Sequence, residues 1–205
     1  MLRQYDNPFH MRNQYLEFEP EDADALHLLT QQTVRPLQAM IASTDTVKAE
    51  ILRSMGFRFR RRCYEMEVSA SAYVGETAFG QLRCAERGDE AYARCVERLY
   101  GHYCETHQGI NPWTADIEAF AAQLPELVWH DNRNNLAFVE DEEIAYVCGG
   151  ADFELFLFCL LTKLFSEYAM LRFEADDCDQ YAMRLRAMFD AQEENGCDTY
   201  VYEVQ

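Results

Sequence analysis

With 205 residues, 49% of them hydrophobic, the chain has the length of one ordinary domain, alone or with a small companion, and enough apolar surface for a packed core. Its formal net charge of -18 excludes nucleic-acid binding, because phosphate contacts need a basic surface, and it disfavours anionic membranes while suiting a cationic acceptor. Eight cysteines without a Cys-x-x-Cys spacing, no secretory signal at the start and no apolar run longer than residues 155–161 predict a cytoplasmic protein with reduced thiols, no metal site and no membrane span.

Tyr15, Leu16, Glu17, Phe18 and Glu19 alternate in polarity, the pattern of a strand with one wet face. Pro20 opens a helix whose stripe is Ala25, Leu28 and Leu29, and Arg35 before Pro36 stops it. Residues 37–41 form the next strand. Ser43, Thr44 and Asp45 then cap a helix carrying Ala49, Leu52 and Met55, with Gly56 where a C-terminal cap glycine belongs. Residues 57–68 make a long strand, and residues 69–72 are a small polar joint. Arg58, Arg60, Arg61 and Arg62 on that strand either balance nearby carboxylates or grip an anion.

Beyond the joint, residues 89–105 place Tyr92, Cys95, Val96, Leu99 and Tyr103 on one helical face. His102 and His107 lie five apart, the wrong offset for a metal pair, and read as surface histidines. Thr114 is positioned to cap a short helix showing Ile117, Phe120, Ala121 and Leu124. Strands follow at 127–129, 136–139 and 144–148, the last two joined as a hairpin through residues 140–143. Gly149 and Gly150 turn the chain into residues 153–168, which are apolar on nearly every side and predict a helix buried against a sheet. A strand at 170–174, acidic caps at 176–179, a helix with Ala182, Leu185, Arg186 and Met188, and a closing strand complete the chain.

The N-terminal element order, strand, helix, strand, helix, strand, repeats the end of the C-terminal order. Ala49, Leu52, Arg53 and Met55 recur in the same spacing as Ala182, Leu185, Arg186 and Met188. This predicts an α+β protein made of a half-domain over residues 1–68 and a full domain over residues 72–205, the first a duplicate of part of the second.

The strand, acidic turn and Ala-x-x-Leu helix, and the Gly56-Phe57 step from helix into strand, resemble the GNAT N-acetyltransferase superfamily. The resemblance implies a mixed β-sheet flanked by helices, with acetyl-CoA bound where the strand at 144–148 splays from the strand at 170–174. Its cofactor residues would be Tyr146, Val147, Cys148, Gly149, Gly150 and Ala151, with Arg186 in the place after Ala-x-x-Leu where the family often has a tyrosine acid. Glu143 would be the base, and a small-molecule or protein amine the acceptor. The residues depart from the family pattern in three ways. The Gln/Arg-x-x-Gly-x-Gly spacing is absent, and Asp152 and Glu154 put carboxylates at the helix start, where Asp152 is expected to cap the loop amides and repel phosphate. An arginine at 186 is no general acid near neutral pH. Cys148 reads either as a buried strand thiol or as a nucleophile. Two functions therefore stand side by side: an N-acetyltransferase, and a non-catalytic GNAT-like binding or interaction protein with a degenerate cofactor loop.

Overall fold

The computed structural model describes residues 1–131, 133–190 and 195–204. In chain order the elements are β1 (Arg3–Asp6), β2 (Gln14–Glu17), α1 (Ala23–Gln32), β3 (Leu37–Ala42), α2 (Thr46–Ser54), β4 (Arg58–Ser69), β5 (Arg83–Glu86), α3 (Glu90–His107), α4 (Ile117–Ala121), β6 (Leu127–His130), β7 (Leu136–Glu140), β8 (Glu143–Cys148), α5 (Phe153–Phe165), β9 (Met170–Asp176), α6 (Gln180–Arg186) and β10 (Gly196–Tyr202). The mixed sheet flanked by helices is the expected α+β class.

Two compact units form, and neither is continuous in sequence. The first comprises Met1–Cys63, Cys104–Asp116 and Glu194–Gln205; the second comprises Tyr64–Tyr103 and Ile117–Glu193. In the first the strand order is β1-β2-β3-β10-β4, and in the second it is β4-β9-β8-β7-β6-β5. Within the units, β2 pairs parallel with β3 and β8 pairs parallel with β9. The C-terminal strand β10 lies antiparallel on β3 through six residue pairs, from Cys197 opposite Ala42 to Tyr202 opposite Leu37. The last strand of the C-terminal part thus completes the first unit's sheet.

Local chemistry fixes the ends of the helices. The Asp45 carboxylate accepts the Lys48 amide at 2.9 Å and starts α2. Gly56 ends that helix at φ +90°, a left-handed angle that a side chain would strain. Asp179 starts α6 by accepting the amides of Tyr181 at 2.8 Å and Ala182 at 3.3 Å. Thr114 does not cap α4. Its hydroxyl is taken up within the first unit, accepting from the Met11 amide at 3.0 Å, and α4 begins three residues later.

Helix α5 is the centre of the second unit's core. Phe153, Phe156, Leu157, Leu160, Leu161 and Leu164 are buried with Leu171, Phe173 and Ala175 of β9 and with Ala182 and Leu185 of α6. The first unit has its own core, built from Leu16, Leu26, Leu37, Ile41, Leu52, Phe57 and Tyr200. Beside it the basic strand balances carboxylates. Arg60 reaches Glu203 at 3.3 Å, and Arg62 makes a bidentate pair with buried Asp198 at 2.6 and 3.0 Å. Among the described residues, no helix is long and apolar enough to cross a membrane.

Candidate functional site

The parallel ladder between β8 and β9 pairs Glu143 with Arg172 and Ile144 with Phe173. It ends there, so Val147 and Cys148 lie beyond the paired stretch, while the other edge of β8 stays paired with β7 as far as Cys148 opposite Leu136. The resemblance asks for a splay at this place. β8 delivers the chain from that point into a four-residue link, Gly149, Gly150, Ala151 and Asp152, and α5 starts at once.

That link is held by side chains the sequence reading did not single out. The Oδ1 of Asn135 accepts the Gly150 amide at 2.8 Å, while its Nδ2 donates to the Ala151 carbonyl at 2.9 Å and to the Asp131 carboxylate at 2.7 Å. Arg98 donates through Nε to the Asn134 carbonyl at 2.8 Å and through Nη2 to the Gly149 carbonyl. The two glycines are required by close approach. A Cβ at Gly149 would lie 2.3 Å from the Phe153 ring, and one at Gly150 would lie 2.9 Å from the Arg133 carbonyl oxygen.

Asp152 corrects an expectation. It occupies the cap position in the left-handed region, at φ 58° and ψ 30°, and its carboxylate makes no cap hydrogen bond. That carboxylate pairs instead with the exposed guanidinium of Arg133, which turns it away from the loop amides. The Gly150 amide of the link is held by Asn135 instead.

Phe153, the first residue of α5, is 1% exposed. Its ring meets the Tyr181 ring of α6 edge-on at 5.0 Å between centroids, and Tyr181 in turn meets the His102 ring of α3 at 4.9 Å. His102 Nε2 lies 3.0 Å from Asp179 Oδ1, with a side chain only 13% exposed. His102 is therefore no surface histidine; α3 turns it inward onto the start of α6. His107, in the other unit, is also buried, 2.6 Å from an Arg61 guanidinium nitrogen.

The remaining expected site residues are spread out. Glu143 is exposed at the start of β8, about 17 Å along the strand from Cys148. Tyr146 turns its ring to Tyr103 and Phe120. Arg186 lies at the last turn of α6, its guanidinium 4.0 Å from the centroid of the Tyr64 ring, a cation–π contact. Burial pushes the Cys148 thiol up to about 11, against the lowering influence of Arg98, and that is the wrong direction for a nucleophile at neutral pH. Among the described residues, no group of three or more His, Cys, Asp or Glu could hold a metal ion.

The Gly150 amide is spent on Asn135, so a pyrophosphate at this link would lack that donor. Beyond the end of β8, the Phe153 ring packs where a Cβ at Gly149 would lie.

No family model and no curated protein matches the sequence. Solved structures match it along nearly its whole length. A GCN5-related N-acetyltransferase from Sphaerobacter thermophilus is 10% identical with a TM-score of 0.59, covering 98% of this chain and 76% of that one. A GCN5-related N-acetyltransferase from Kribbella flavida is 10% identical with a TM-score of 0.57, covering 100% and 90%. A tandem GNAT protein from the clavulanic acid biosynthesis pathway is 10% identical with a TM-score of 0.50, covering 98% and 78%. At this identity the likeness speaks for fold, not for activity.

Proposed function

We propose, from the premise that this chain has the GNAT fold, that it is a binding protein whose cofactor cleft is closed by its own side chains, and that it does not transfer acetyl groups. The observation that carries this reading is the seat of Phe153, packed on Gly149 and against Tyr181. A pantetheine arm entering beyond the β8–β9 ladder would have to move that ring. Exposing a buried Phe costs roughly 1.5–3 kcal/mol before any contact with the arm is made. The Gly150 amide is already satisfied by Asn135. The duplicated half-domain over residues 1–68, beside a full domain over residues 72–205, belongs to the same proposal. The parallel pair within each, β2 with β3 and β8 with β9, supports it. A cytoplasmic setting belongs to the same proposal.

The other reading, an acetyl-CoA-dependent N-acetyltransferase acting on a small-molecule or protein amine, is favoured by one observation: the ladder ends at Ile144 and Phe173. An assay of CoA thiol release from acetyl-CoA, with a polyamine and a lysine peptide as acceptors, separates the two. The binding-protein reading expects the rate measured without protein. Sustained release that depends on both protein and amine would overturn it.

A further inference from the structure

Helix α3 and strands β5, β6 and β7 line a half-open cavity of about 430 Å³, within the size range of small-molecule sites. Arg83, Arg94, Arg98 and His130 line it, together with Asp89 and Asp131. Acidic residues outnumber Lys and Arg by 36 to 18 in this chain, so three guanidinium groups on one cavity run against the composition.

The two acids are committed to the backbone. Asp131 accepts the Arg133 amide at 2.7 Å and the Asn135 amide at 3.0 Å, besides Asn135 Nδ2. Asp89 accepts the Glu86 amide at 2.9 Å. The cations are not committed in the same way. Arg98 donates to two backbone carbonyls and meets no carboxylate among the described residues. Arg83 is exposed and has no ion-pair partner among the described residues. Arg94 touches Glu90 at 2.6 Å, but their side chains are 62% and 90% exposed, and a pair so wet yields readily to a better acceptor.

Planar guanidinium groups bind carboxylate and phosphate through paired N–H donors. We propose that this cavity is a binding site for a small dianion, a phosphomonoester or a dicarboxylate. The inference rests on the binding-protein reading and supplies its ligand class. The cavity is not the splay: it is lined from α3, β5, β6 and β7, and approaches the glycine link through Arg98, Asn134 and Asn135.

The test is calorimetric titration of the full chain at low ionic strength with inorganic phosphate and with malonate, using acetate as the monoanion control. We expect one dianion to bind below about 1 mM and acetate at least tenfold more weakly. The one that binds identifies the source. Arg83→Gln and Arg94→Gln, both exposed and safe for folding, should each weaken it by at least about fivefold, while Arg58→Gln, an exposed arginine of the other unit, leaves it unchanged. Silence of both dianions up to about 10 mM overturns the inference, as does equal weakening by Arg58→Gln. Acetyl-CoA that binds the native chain and Arg83→Gln alike overturns the binding-protein reading instead.

Discussion

Asn135→Ala probes the glycine link most sharply. Asn135 is fully buried and its side chain makes three hydrogen bonds, to the Gly150 amide, the Ala151 carbonyl and the Asp131 carboxylate. Each is worth about 0.5–1.5 kcal/mol net, and the bond to the carboxylate is at the upper end. Ala151 is exposed, so water replaces the partner its carbonyl loses; Gly150 and Asp131 are half-buried and recover less. The loss should be roughly 2–4 kcal/mol. In a chain of this length that lowers the melting temperature by about 5–12 °C. Asn135→Asp should cost more at neutral pH, because it sets a second carboxylate against Asp131 and turns a donor at the Ala151 carbonyl into an acceptor. The new group's folded pKa would be raised by the Asp131 charge, so the fold favours its protonated form. Its penalty relative to Asn135→Ala is therefore full above the raised value, shrinks as pH falls through it, and is gone below about 4. Thermal and urea unfolding followed by circular dichroism measures both variants. An Asn135→Ala protein within about 0.5 kcal/mol of native, or an Asp variant more stable than the Ala variant at pH 7, would refute this account of the link.

Other consequences can be measured on the same preparations. Phe156→Asp and Leu160→Asp each bury a charge in the α5 core, where these residues are 3% and 0% exposed, and should abolish cooperative unfolding; two soluble variants with native melting would remove α5 from the core. Arg62→Ala strips buried Asp198 of its bidentate partner and should cost about 3 kcal/mol, whereas Arg3→Ala breaks an exposed pair with Glu17 and should cost less than about 1 kcal/mol; equal losses in urea titrations would contradict the assigned burial. Burial raises the Cys95 and Cys148 thiols to about 11, so little reactive thiolate exists at pH 8 and alkylation at these sites should quicken as pH climbs toward 11. Peptide mass spectrometry should find exposed Cys178 modified first at pH 8, and early labelling of Cys148 would contradict the shift.

Much of this fold could be read from local pattern. Residues 153–165 declared a buried helix because apolar side chains cover every face, and Gly56 and Asp179 marked helix ends by their own backbone chemistry. What escaped was set by long-range pairing. β1 and β5 have four residues each with mixed charge and little apolar signal, and they are strands only because β2 and β6 lie beside them. The placement of β10 on β3 has no local signature either.

The candidate site was half legible. The end of the β8–β9 ladder follows from the family resemblance, and the glycines stand where the chain turns. Their reason is different from the one the resemblance gives. Gly149 makes room for the Phe153 ring and Gly150 for the Arg133 carbonyl, so the pair serves packing. Asn135, Arg98, His102 and Tyr181 come to the link from other elements, and only three-dimensional proximity identifies them. Periodicity did hold one clue: His102 shares the helical face of Leu99 and Tyr103 at its border, where a surface histidine is less expected.

The central claim is that the cleft beyond Ile144 and Phe173 is filled by the chain itself. Calorimetric titration of the native protein and of Arg83→Gln with acetyl-CoA tests it most directly, because the variant weakens any contribution from phosphate groups entering the arginine-lined cavity. The account predicts no binding heat from the variant up to about 1 mM acetyl-CoA. Saturable binding tighter than about 100 μM, roughly 5.5 kcal/mol, in both proteins would contradict it.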